Sequence, residues 1–222
     1  MRLLFFDGVT SCCQDTEGKF YTAGNLSSSI INRYKAFCDD LMLLMLDGGK
    51  NLTPEKARTK GRVIDDAHVE SYTIPPLLSP KKNFFNLALR KRAVDAIAAV
   101  IQKADRVIVR APGRFYTNTA LKFCRKYHKP YLIEVVDFPL EYIGYTRFRC
   151  VFAPYGEYTH KREVAIAPYV LYVTEHAMQE RYPASGKSLG CSDVELDDLD
   201  EAELSKRTLR INTYKGGGAL SV

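Results

Sequence analysis

None of the six cysteines (Cys12, Cys13, Cys38, Cys124, Cys150 and Cys191) forms a C-x-x-C pair. Metal and disulfide frameworks need closer or more regular spacing, so reduced thiols are expected. No apolar run reaches the roughly 18 residues that span a bilayer. The opening Met1-Arg2-Leu3-Leu4-Phe5-Phe6-Asp7 meets an acid too early for a signal-peptide core. A cytoplasmic chain is expected, and Asn51-Leu52-Thr53 then has no meaning as a glycosylation sequon. No internal repeat is evident. The four histidines are scattered: His128 and His160 fall in Lys/Arg-rich helical segments and are expected to be solvated, and His176 reads as an exposed helix start rather than a general base.

What is present is a basic, apolar-rich chain. Its 222 residues are 46% hydrophobic, enough for a real core. Net charge is +6, unevenly spread. Residues 193–203 hold seven acids (Asp193, Glu195, Asp197, Asp198, Asp200, Glu201 and Glu203). Without them, 32 basic residues face 19 acids, a net +13. Such a body suits phosphate-bearing ligands or an anionic surface. The plainer alternative is that Lys and Arg only solvate helices.

Four apolar runs each stop at a polar, turn-forming cluster. Leu3 to Phe6 runs into Asp7-Gly8. Val107 to Val109 runs into Arg110-Ala111-Pro112-Gly113-Arg114. Tyr131 to Val136 runs into Asp137-Phe138-Pro139. Tyr169 to Val173 runs into Thr174-Glu175-His176. Helical patterns separate these runs. The pattern predicts an α/β, Rossmann-like three-layer sandwich with a mostly parallel sheet and helices on both faces. In such a sheet, ligands bind beyond the carboxyl ends of the strands.

Between these runs the sequence predicts a turn-rich loop from Asp7 to about Asn25, then a helix over 26–38. A strand follows over 41–46, loop over 48–66, and a strand over 69–74 ended by Pro75-Pro76. Phe85, Leu89, Ala93, Ile97 and Ile101 recur every four residues and predict a helix over 83–103. Helices over 117–128 (capped by Thr117 or Asn118), 153–164 and 175–182 complete the alternation, with an edge strand at 188–190. The domain is expected to span 1–192. Residues 193–222 then form an acidic linker and tail with room for one strand, over 208–211.

Several motifs fail on chemistry. Phe6-Asp7-Gly8-Val9-Thr10 resembles a phosphatase nucleophile loop, but the nucleophile position is Phe5. Gly186-Lys187-Ser188 ends like a P-loop, yet Arg181 stands where its first glycine belongs. Glu195 and Glu203 have the E-x7-E spacing of nucleotide-sugar recognition, but sit in an acidic stretch without sheet context. The loop 110–114 is richer. Gly113 allows close backbone approach, the following helix start offers free N–H groups, and Arg110 and Arg114 can fork onto phosphate or carboxylate oxygens. An ordinary βα turn with two surface arginines remains the alternative.

Four segments, in order, carry a family resemblance. They are Phe20-Tyr21-Thr22-Ala23-Gly24 before a helix containing Arg33-Tyr34; Asp105 to Pro112; Pro130 to Asp137; and Tyr172-Val173-Thr174-Glu175 with Arg181-Tyr182-Pro183 and Ser188 to Asp193. Over about residues 1–195 the chain resembles the N-terminal, acceptor-side domain of a family 4 glycosyltransferase of the GT-B architecture. That resemblance implies a second domain, on the order of 150–200 residues, absent from this sequence. It would bind the nucleotide-sugar donor and carry the glutamate pair. No catalytic role is therefore carried over, and little transfer activity is expected of the chain alone.

The expected function is acceptor binding for a glycosyltransferase that builds a surface or capsular polysaccharide, on a saccharide or lipid-phosphate-linked acceptor. Contact with the inner membrane surface would suit the basic helix over 83–103. No cofactor, metal or nucleic acid is expected. The candidate binding residues are Asp7, Gly8, Arg110, Gly113, Arg114, Asp137 and Glu175. The alternative is a non-catalytic Rossmann-like or flavodoxin-like module that binds a phosphorylated ligand or a protein partner.

Overall fold

In the computed structural model, residues 1–22, 26–112, 114–138, 147–191 and 201–215 are described, with side chains except at 81, 114, 147–152, 202, 203 and 213–215. The first unit is Met1–Cys191. Its centre is β1 (Arg2–Gln14). β2 (Phe20–Thr22), α1 (Ser28–Lys35), β3 (Asp40–Asp47), α2 (Pro54–Lys60), β4 (Arg62–Ile64) and β5 (Val69–Ile74) follow. Then come α3 (Leu87–Lys103), β6 (Arg106–Ala111), α4 (Arg114–Lys126), β7 (Tyr131–Val135) and α5 (Arg147–Ala165). β8 (Tyr169–Tyr172), α6 (Ala177–Arg181) and β9 (Lys187–Gly190) complete the unit.

The sheet runs β5-β3-β1-β6-β7-β8-β9, parallel throughout. The four expected strands therefore end on one edge. The chain builds outward from β1 through β3 to β5, then returns to β6 on the other flank of β1. That reversal makes a topological switch point between β1 and β6, the place where such sheets open a crevice.

Strand alternation sorts side chains onto two faces. Leu4, Phe6, Met42, Leu44, Val107, Val109 and Ile133 pack with Ala93, Ile97 and Ile101 of α3, Ala120 and Leu121 of α4, and Val164 of α5. Leu3, Phe5, Leu41 and Leu43 face the other way, onto Ile31 and Tyr34 of α1. Full burial of each large side chain contributes roughly 1.5–3 kcal/mol. Helices thus lie on both faces of a Rossmann-like sheet.

The structure differs from expectation in several places, each with a local cause. The turn-rich loop after Phe6 is instead a bend within one long strand. Asp7 Oδ1 accepts from Val9 N at 3.0 Å and Thr10 N at 2.9 Å, and Gly8 takes φ +70°. The register to β3 slips there and resumes at Ser11. Beyond the bend, β1 carries β2 antiparallel, and β2 carries β4 antiparallel. The supposed loop over 48–66 contains α2, with Pro54 in its first turn and Thr53 Oγ1 accepting from Lys56 N at 3.4 Å.

The expected helix over 83–103 is broken at Asn86. Its backbone is extended and its side chain accepts from Leu89 N at 3.0 Å, which caps α3. A separate 3-10 turn, Lys81–Phe85, precedes it. Helix α4 begins at Arg114, so Thr117 lies inside its first turn rather than capping it. In the second unit, Ser192–Val222, the strand expected over 208–211 is part of a helix, α7 (Glu201–Lys215). Acids 193–200 lie outside the described residues.

Candidate functional site

The switch point is assembled by close packing of the bend after β1 against the first turn of α4. A Cβ built on Gly8 would stand 3.4 Å from Tyr116 Cβ and 3.5 Å from Thr117 Oγ1. Asp7 is buried, and its carboxylate also accepts from the Thr10 hydroxyl. Its oxygens therefore shape the bend rather than reach for a ligand. Gly113 lies outside the described residues, and Arg114 opens α4. Asp137 follows the end of β7 and is half-buried; Glu175 follows β8 and is exposed. Topology thus brings Asp7, Gly8, Arg114, Asp137 and Glu175 to one edge of the sheet.

Arg110 has a different position from the rest. It lies within β6, directly beside Glu134 of β7 in the parallel register. Its Nε donates to Glu134 Oε2 at 2.8 Å. Glu134 is 1% exposed. Tyr34 of α1 donates its hydroxyl to both carboxylate oxygens at 2.9 Å, and the Arg33 guanidinium stands 3.6 Å from Oε1. The Arg110 guanidinium also lies 5.5 Å above the Phe5 ring, which stacks on Tyr34 at 4.5 Å. Burial and the adjacent Glu134 push the Tyr34 phenol up to about 12. Burial opposes the Arg110 charge, and Glu134 more than offsets it. One buried carboxylate is thus held between two arginines and a phenol, with the Asp7 charge also acting on Arg110, and together they form the floor under the switch point.

A second feature comes from the extension beyond the bend. An open groove of ≈ 470 Å³ is lined by Thr22, Leu26, Ser27, Arg58, Lys60 and Arg62, among others. The three cations are exposed. Thr22 is 5% exposed, and its Oγ1 has no hydrogen-bond partner. Ser27 caps α1, with its Oγ accepting from Ile30 N at 3.3 Å. Leu26 separates this groove from the smaller buried space lined by Phe5, Asp7 and Thr10. Such a groove favours an anion.

Sequence reasoning missed Glu134, Tyr34 and the cations of the groove. The first signal was there: opposite charges at 110 and 134, each one residue before a strand end, fall on one face by alternation. The second was Arg58-Thr59-Lys60-Gly61-Arg62, hidden because its polar, Gly/Pro-punctuated surroundings resemble a loop. Of the E-x7-E pair, Glu195 lies outside the described residues and the Glu203 side chain is not described. Among the described residues, no cluster of His, Cys, Asp or Glu is placed to hold a metal, and no helix is long and apolar enough to cross a membrane.

No family model matches the chain. It is 28% identical over 202 residues to Protein CapJ of Staphylococcus aureus, a match covering 88% of this chain and 48% of CapJ. The chain thus spans about half the length of that curated relative. Two solved structures share its general outline. One is Anabaena HepE in complex with UDP-glucose (TM-score 0.46, 11% identity, 96% of this chain and 50% of that one). The other is TcCGT1 in complex with UDP (TM-score 0.47, 9% identity, 94% and 55%). At such scores neither structure carries an argument about function.

Proposed function

We propose that this chain is the acceptor-binding part of a glycosyltransferase, which takes sugar from a nucleotide-sugar donor to a polysaccharide or lipid-phosphate-linked acceptor. The observation that carries the reading is the switch point. There, a tight glycine bend, the start of α4 and the arginine-held floor meet beside a groove with three exposed cations. The ordered segment resemblance and the similarity to CapJ support it. In this reading, backbone N–H groups at the start of α4 and the side chain of Arg114 take phosphate oxygens, and the basic groove takes the saccharide. Chemistry on the donor side belongs to a second, nucleotide-binding domain.

A binding-only role has one observation in its favour. Both buried carboxylates nearest the switch point, Asp7 and Glu134, are engaged within the protein. Neither is free to act as a base. One assay separates the two readings: sugar transfer from a panel of nucleotide sugars onto a lipid-diphosphate saccharide, by this chain alone and joined to a donor-side domain. Transfer by the joined form alone is expected. Binding of the saccharide without transfer in either form would favour the binding module.

A further inference from the structure

The segment between β5 and α3 exposes its largest apolar side chains. Phe85 is 82% exposed, Leu87 74% and Leu78 54%. These are not loose ends of a mobile loop. Tyr116 of α4 donates its hydroxyl to Pro75 O at 3.0 Å and accepts from Leu77 N at 2.5 Å. Phe84 packs edge-on against Phe115 at 5.9 Å, and the Arg90 guanidinium caps both rings. Asn83 Nδ2 holds Pro76 O at 3.1 Å. The protein anchors Phe84 and Leu77 inward and presents Phe85, Leu87 and Leu78 outward.

The charged residues within this segment of sequence have one sign. Residues 75–94 contain Lys81, Lys82, Arg90, Lys91 and Arg92 and no acid. Lys82, Lys91 and Arg92 are exposed, and Lys91 also reaches Asp95 at 2.7 Å. Through Phe115 and Tyr116, the patch is fixed to the first turn of α4, the same turn that meets Gly8. It therefore belongs to the ligand-binding edge of the sheet.

From this arrangement we infer that the segment 78–92 docks the protein on an anionic lipid bilayer, with Phe85, Leu87 and Leu78 inserted at the headgroup level and Lys82, Lys91 and Arg92 against lipid phosphates. Exposed apolar side chains interspersed along the segment with exposed cations suit an interface that is apolar within and negative at its surface. A nucleic acid would be matched by cations and stacking rings, and leaves Leu78 and Leu87 without a partner. A protein partner would need a complementary acidic, apolar surface, and is kept as an outcome of the test. The inference rests on the proposed function in one respect: docking here would present the site to an acceptor whose phosphate lies at the membrane surface.

Flotation of the 222-residue chain with vesicles of equal parts phosphatidylcholine and phosphatidylglycerol tests this, with pure phosphatidylcholine as control. The wild type should float with the anionic vesicles and lose binding at high salt. Phe85→Ser with Leu87→Ser should weaken partitioning by at least about tenfold. Lys82→Ala should weaken it by about fivefold, and adding Arg92→Ala by about as much again. These positions are exposed, so thermal unfolding should be unchanged, which separates lost docking from lost folding. Absence of flotation, or flotation indifferent to both sets of substitutions, overturns the inference. Self-association that the Phe85→Ser, Leu87→Ser variant abolishes, without flotation, overturns it in favour of a protein interface. Titration of a soluble, short-chain saccharide diphosphate separates this from the acceptor reading. The Ser variant should bind that probe as the wild type does, and failure of the wild type to bind it would sink the acceptor reading alone.

Discussion

The Tyr34 hydroxyl and the Glu134 carboxylate are joined at 2.9 Å across 100 residues of sequence, tying α1 to the strand beyond the switch point. Arg110 completes the contact from the neighbouring strand. Removing one partner of a buried ion pair leaves the other charge uncompensated, which costs about 3–5 kcal/mol. Arg110→Ala should therefore lower the unfolding free energy by about that much, seen as a lower urea midpoint at unchanged slope. Arg33, half-buried and 3.6 Å from the carboxylate, should cost under about 1 kcal/mol on replacement by Ala. Equal losses for the two variants would contradict this account of the floor.

Gly8 and Gly18 both take positive φ, at +70° and +85°, but in different surroundings. A Cβ on Gly18 meets only Gln14 Nε2, at 3.9 Å. Each Gly→Ala change should cost about 1–2 kcal/mol for the left-handed backbone alone. A methyl on Gly8 would meet Tyr116 and Thr117 at ordinary van der Waals distance, so Gly8→Ala and Gly18→Ala should cost about the same. Thermal denaturation of the two single variants compares them. A clearly larger loss for Gly8→Ala would show instead that its methyl presses on the start of α4.

His160 of α5 is buried rather than solvated as its Lys/Arg-rich segment suggests, its Nε2 has no hydrogen-bond partner, and its ring meets Tyr182 edge-on at 4.6 Å. Burial lowers its pKa from 6.5 to about 4, against a smaller opposing pull from Glu157. The unfolded chain therefore takes up a proton before the folded one does. Stability is full above pH 6.5 and is lost as pH falls toward 4, by a total on the order of 3 kcal/mol. Urea unfolding across that window should show this slope, flattened in His160→Leu. Parallel slopes for wild type and variant would remove His160 from the acid sensitivity.

The parallel sheet was legible because its strands are apolar runs broken by turn residues, and the helices because their periodicity is strong. The bend at Asp7 was not legible as strand. There, Gly8 and an Asp–Thr side-chain contact imitate a loop, and pairing with β3 lapses after Phe6 and resumes only at Ser11. Asn86 was hidden inside a continuing apolar period, and only its capping bond to Leu89 splits the helix. At the site, positions after strand ends were readable from topology alone. The Arg110–Glu134–Tyr34 contact was not, since it joins three elements whose neighbours in space are fixed by strand order. The Thr208–Ile211 segment is β-branched enough to suggest a strand, yet Lys206, Arg207 and Arg210 favour the helix it forms.

The account stands most directly on phosphate binding at the start of α4. Isothermal titration of a short-chain isoprenyl diphosphate carrying one saccharide, against wild type and Arg114→Ala, measures it. Loss of a charge-assisted hydrogen bond predicts affinity weaker by about 1–3 kcal/mol in Arg114→Ala. Equal affinities, or no binding to either protein, would return the loop 110–114 to an ordinary βα turn and contradict the acceptor site.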